Sequence, residues 1–139
     1  MDPPLKLDAK VADIMTTDIV DVNFDTPVSD LIRTMVDKDI SGIIVVDNVG
    51  EIMGVISVID IFKIFNEGSD ADVKKLVAED IMTPFFVGIY QEDSLKDAAL
   101  KMLQHDIHRL VVISTSVKRK AVGIITSTDV LNEIAKEWG

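Results

Sequence analysis

Apolar side chains at Val28, Leu31, Ile32, Met35 and Val36 follow the i, i+3, i+4, i+7, i+8 spacing of a helix with one apolar face. The same spacing returns at Leu95, Ala98, Ala99, Met102 and Leu103. Thr26 and Pro27 ahead of the first run read as its N-cap and first helical residue. Each helix is preceded by a short alternating segment, carried by Ile19, Val20 and Val22 in one case and by Val87 and Ile89 in the other. Each is followed by a continuous β-branched run, Ile43–Val46 or Leu110–Ile113, which reads as a buried strand. A turn comes next, DNVGE or STSVKRK, and then a third strand, Met53–Ile56 or Val122–Ile125. A second helix closes each set, with Ile61, Phe62, Ile64 and Phe65 in the first and Val130, Leu131, Ile134 and Trp138 in the second.

The two sets are copies. DIMT stands at Asp13–Thr16 and again 67 residues later at Asp80–Thr83, and Met35, Asp39 and Ile40 map onto Met102, Asp106 and Ile107 at that offset. Gly54 maps onto Gly123 at an offset of 69, so the second copy carries 2 extra residues, placed most simply in the hairpin turn. The pattern predicts an α/β (α+β) chain of two β-α-β-β-α repeats, residues 8–65 and 75–137, joined by a linker at 66–74. A repeat of about 55–60 residues buries too little surface to be comfortably stable alone. The two are therefore expected to pack about a pseudo-twofold axis, leaving clefts suited to ligands.

Composition narrows the function. The 139 residues are 47% hydrophobic and 27% charged, as in an ordinary globular chain. With 14 basic and 24 acidic residues the net charge is −10, which argues against nucleic acid as a partner and requires any anionic ligand to be met locally. There is no cysteine, and HDIH at His105–His108 has no third ligand beside it, so no metal site is expected. KRK at Lys118–Lys120 reads as a solvated turn. No run approaches the ~18 apolar residues of a membrane span, and MDPPLKLDAK lacks a signal-peptide pattern. A soluble, cytoplasmic chain is expected. No Walker loop, HExxH motif or Ser–His–acid order supports an enzyme.

The duplicated order of DIMT, apolar helix, strand, turn and GVISVID (Gly54–Asp60) or GIITSTD (Gly123–Asp129) resembles the CBS domain, two in tandem resembling a Bateman module. The resemblance runs from about Val11 to Lys136 and leaves no room for a catalytic domain. It implies a regulatory module, often a homodimer, that binds AMP, ADP, ATP or S-adenosylmethionine and acts on an unidentified regulated protein. No catalytic cofactor is implied.

In members of that family the acid of the second motif takes the ribose hydroxyls and the neighbouring hydroxyl residue meets phosphate. The resemblance thus implicates Thr126, Ser127 and Asp129, with Ser57 and Asp60 as their first-repeat counterparts. An ionised carboxylate is acceptor-only and takes two adjacent O–H donors. A helix N-terminus presents free N–H groups to an anion, and Gly123 would let a ligand approach the backbone. The same residues also form a capping box, Thr or Ser with an acid three positions on, and the motif alone leaves both readings open. His108 and Arg109, directly ahead of the strand starting at Leu110, suit a phosphate. Ser41 and Gly42 stand there in the first copy, so unequal sites are expected, the second dominant. The adenine slot is expected from the segments after DIMT, with Pro84, Phe85 and Val87 in the second copy, Thr17, Ile19 and Val20 in the first, and Ile107 lining the second; Thr83 and Thr16, which end DIMT, are counted with the ligand-binding residues. The competing reading is a dimerising interaction scaffold without a physiological ligand.

Overall fold

The computed structural model describes residues 6–67 and 73–139. Part of the expected linker, residues 68–72, lies outside them. In chain order the described elements are α1 (Val11–Ile14), β1 (Asp21–Asn23), α2 (Val28–Lys38), β2 (Gly42–Val46), β3 (Ile52–Ser57) and α3 (Val58–Glu67). The second half adds α4 (Ala78–Ile81), β4 (Gly88–Tyr90), α5 (Leu95–His105), β5 (Arg109–Ile113), β6 (Ala121–Thr126) and α6 (Ser127–Trp138). The short helices α1 and α4, which hold the first two residues of each DIMT, escaped the periodicity because four residues make barely one turn.

Each repeat supplies a three-stranded sheet, β1-β2-β3 or β4-β5-β6, with a parallel first pair and an antiparallel hairpin. Both hairpins carry a register shift at matching places, Val45/Val46 and Val112/Ile113. The two extra residues lie in the second hairpin loop, as expected: Val46 pairs with Ile52, whereas Ile113 pairs with Ala121. The left-handed position that Gly50 fills in the first loop (φ +84°) is filled by Arg119 in the second (φ +53°).

The chain divides into two compact units that do not coincide with the repeats. One unit is Val20–Phe86. The other joins Val87–Gly139 to the segment ending at Ile19. Each sheet is thus completed by a strap taken from the opposite repeat. In the unit of β4–β6, Thr16 pairs with Ile124 across the free edge of β6, N–H to carbonyl in both directions at 2.9 Å. In the unit of β1–β3, Thr83 pairs with Val55 in the same way at 2.8 and 3.0 Å.

The straps also cover the helix starts. The Leu95 N–H donates to the Ala9 carbonyl at 3.0 Å and the Val28 N–H to Leu76 at 3.0 Å, so two groups that a helix start leaves unpaired are satisfied from outside the helix. Pro27, not Thr26, is the N-cap of α2, and its ring offers no oxygen, so the expected Thr26 cap is not formed. In α5 the matching Ser94 caps by accepting from the Asp97 N–H at 3.1 Å. Lys10 meets Glu92 at 2.9 Å, and hydrogen bonding to that carboxylate, then its charge, raises the lysine above its ordinary pKa.

Val11, Ile89, Leu95, Leu110, Val112 and Ile125 form the core of one unit, with Val11 contributed by the strap. Val28, Leu31, Ile43, Val45, Ile56 and Ala78 play those parts in the other, Ala78 again from a strap. Helices α2 and α5 both end on a left-handed aspartate, Asp39 and Asp106, after which Ile40 and Ile107 bond back to Met35 and Met102. The second helices bury only part of their apolar residues. Ile61 and Ile64 are buried, while Phe62 and Phe65 on the same helix stay 60% and 67% exposed.

Candidate functional site

Where β6 runs into α6, Thr126 is the last strand residue and the N-cap of the helix. Its hydroxyl accepts from the Asp129 N–H at 3.2 Å, and Asp129 Oδ2 accepts from the Thr126 N–H at 2.9 Å. The capping box is therefore formed. It consumes one carboxylate oxygen, and among the described residues no donor is found on Asp129 Oδ1. The side chain is half-buried.

The neighbours follow from strand register. Arg109 is the first residue of β5, not the residue before it, and pairs with Thr126. Cross-strand partners point to the same side of a sheet, so Arg109 and Thr126 share the face opposite Leu110 and Ile125. Arg109 is exposed and already engaged in an interaction. The Ser127 N–H donates to the His108 carbonyl at 2.8 Å, and the Ser127 hydroxyl lies 3.4 Å from His108 Nδ1. His108, Arg109, Thr126, Ser127 and Asp129 thus come together at one helix start. Asp129 keeps one oxygen for a further donor, Arg109 is paired with the cap residue Thr126, and His108 meets Ser127 beside it.

At the corresponding junction of β3 and α3 the acid is more fully occupied. Asp60 is 8% exposed. Its Oδ2 accepts from the Ser57 N–H at 2.8 Å and the Ser57 hydroxyl at 3.1 Å. Its Oδ1 accepts from the Thr83 hydroxyl at 3.0 Å. Gly42 pairs with Ser57 where Arg109 pairs with Thr126, and Ser41, exposed and engaged elsewhere, precedes it.

The exchange of straps regroups the expected site residues. Thr83 and Phe85, assigned by repeat to Asp129, belong to the unit of Asp60, while Thr16 and Ile19, assigned to Asp60, belong to the unit of Asp129. Phe85 is 83% exposed. Val87 and Ile107 stay with Asp129, but both pack against the core of that unit, Ile107 through its bond back to α5. Gly123 does not open the backbone to a ligand. A methyl group there would meet Met15 Sδ at 2.6 Å and the Thr16 carbonyl at 2.8 Å, and at Gly54 the Thr83 carbonyl at 2.5 Å and Met82 Sδ at 2.9 Å. The glycines make room for the straps. Sequence reasoning also missed the Thr83–Asp60 bond. Its only trace there is the recurrence of DIMT, which says nothing about which copy it meets.

Among the described residues there is no cluster of three metal-ligating side chains and no helix long and apolar enough to cross a membrane.

The family model of the CBS domain matches the chain twice, at residues 11–67 and 77–136. Uncharacterized protein MJ1232 of Methanocaldococcus jannaschii is 32% identical over 129 residues, 93% of this chain and 40% of that protein, so the chain spans less than half of that relative. The crystal structure of CBSX2 in complex with AMP is 28% identical with a TM-score of 0.78, covering 94% of this chain and 98% of that one. The CBS domain pair of protein MJ0100, in complex with 5′-methylthioadenosine and S-adenosyl-L-methionine, is 25% identical with a TM-score of 0.72, covering 94% and 100%.

Proposed function

This chain belongs to the CBS domain family, and from that membership we propose that it is a regulatory module that binds an adenosine derivative, with its main site at Asp129. The observation that carries this reading is the half-used carboxylate. Oδ2 caps α6 while no described residue donates to Oδ1. A ribose offers two adjacent hydroxyls, and a carboxylate takes such donors without needing to supply one. Ser127, the start of α6, His108 and Arg109 provide what a phosphate or other anionic group requires in a chain of net charge −10. Relatives of the same fold hold AMP, S-adenosylmethionine and methylthioadenosine, which share the ribose and adenine. Ligand binding acts through the populations of the states it fits better or worse.

A homodimer belongs to the same reading. Ile59, Phe62 and Phe65 on α3, and Leu131 and Trp138 on α6, are largely exposed, and helices with apolar side chains of this size seek a partner.

Calorimetric titration with AMP, ATP and S-adenosylmethionine tests the proposal. Asp129→Asn should weaken binding by about 10–100-fold, the worth of a hydrogen bond to a charged group. Asp97→Asn makes the same change in the capping box of α5 and should leave affinity intact. No binding to the unaltered protein by any of the three overturns the sensor and leaves the dimerising scaffold.

A further inference from the structure

The two repeats place the same threonine of DIMT in the same backbone setting, yet the two side chains end differently. Thr16 and Thr83 each form a two-way bridge to the outer strand of a sheet, opposite Ile124 and Val55. Thr83 spends its hydroxyl on Asp60 Oδ1 at 3.0 Å. No such bond joins Thr16 to Asp129. With Ser57 holding Oδ2 twice, both oxygens of the Asp60 carboxylate accept from the protein itself.

We propose that Thr83 is a built-in occupant of the first-repeat site, its hydroxyl standing where one hydroxyl of a ribose would donate. The inference rests on the reading of Asp129 as a diol acceptor and extends it to the acid that does not accept. Two features make Thr83 an effective competitor. Its backbone is fixed by the bridge to Val55, so ordering the hydroxyl freezes little beyond one side-chain torsion. Its bond is to a charged, buried acceptor, which is among the stronger hydrogen bonds. A ligand must displace that bond before it gains its own, and the exchange returns little. The missing basic residue at Gly42 removes the compensating attraction an anionic ligand would find beside Arg109. Closure therefore belongs to one side chain, and removing its hydroxyl should free a carboxylate oxygen for ligand.

The test is the number of AMP or S-adenosylmethionine equivalents bound per chain, read by calorimetry on the 139-residue chain. One equivalent is expected for the unaltered protein. Thr83→Val, nearly the same shape without the hydroxyl, should add a second equivalent, or raise first-repeat affinity about 10–100-fold. That gain should vanish in Thr83→Val/Asp60→Asn and be absent in Thr83→Ser, which keeps the hydroxyl. Thr83→Val with unaltered stoichiometry and affinity, while Asp129→Asn still weakens binding, overturns the occupant and leaves the proposed function standing. Ligand bound by none of the proteins overturns both. A gain that survives Asp60→Asn overturns the occupant too, because the new site would not use the freed carboxylate. Thermal unfolding of Thr83→Val beside Thr16→Val gives a reading without ligand: equal Tm values would show that Thr83 makes no bond that Thr16 lacks.

Discussion

At Gly123 the space for a side chain is already filled. Met15 Sδ would stand 2.6 Å from a new methyl and the Thr16 carbonyl 2.8 Å, and one of these is backbone held by the bridge to Ile124. Gly123→Ala is therefore expected to destabilise by about 1–3 kcal/mol, as overpacking does, seen as a Tm several degrees lower by calorimetry. An unchanged Tm would mean that the strap can move away. Gly50→Ala tests a different physics: nothing lies within 4 Å, but φ is +84°, so its cost of about 1 kcal/mol comes from the backbone. The sequence makes Gly54 and Gly123 conspicuous by repetition and invites a reading through ligand approach. Their reason lies in residues that are neighbours only after folding, so no local pattern exposes it. Asp129 is the opposite case. The capping box and the motif are both legible in seven residues, and what needed coordinates was the fate of each carboxylate oxygen.

Between elements the clearest contrast is at the starts of α2 and α5. Ser94 accepts a backbone N–H and Asp97 returns the bond, whereas Pro27 can do neither and α2 leans on the Leu76 carbonyl. Ser94→Ala should cost about 1 kcal/mol, while Thr26→Ala, at a residue whose side chain caps nothing, should change stability by less than about 0.5 kcal/mol. Paired denaturant titrations separate the two. The element types, their order and the placement of the two inserted residues were legible because helix and strand periods differ and because each was seen twice. The register of Arg109 was not. One residue of shift moves a side chain to the other face of a sheet, and only the pairing with Thr126 fixes that it shares a face with the helix cap.

For the molecule as a whole, the repeats of the sequence are not the units of the fold. Residues 87–139 without the strap lack Val11 in the core, the Ala9 carbonyl at the start of α5 and Thr16 along β6. That fragment is expected to show no cooperative unfolding until a peptide covering residues 6–19 is supplied, read by circular dichroism with and without the peptide. The exchange was not legible because duplicated straps fit either sheet by pattern, and proximity in the chain favours the wrong assignment. Self-association is tested at the same scale. Phe62→Glu/Phe65→Glu should reduce the mass by light scattering from twice 15.3 kDa to 15.3 kDa without unfolding the chain, since both rings are exposed in the single chain.

The exchange of straps also sets an order of events on the ribosome. Every residue of the unit Val20–Phe86 has been made once Phe86 emerges, and its closing bridge, Thr83 to Val55, joins neighbours in time. The other unit begins with the first strap made and must hold it unsatisfied until Ile124, its partner, is synthesised. With chains growing at about 5–20 residues per second, the exposed apolar residues of that strap wait for several seconds, available to chaperones or to a neighbouring nascent chain. The half that carries Asp129 is thus the last to exist, and a chain that ends before residue 124 has one complete unit and a first strap without its strand partner.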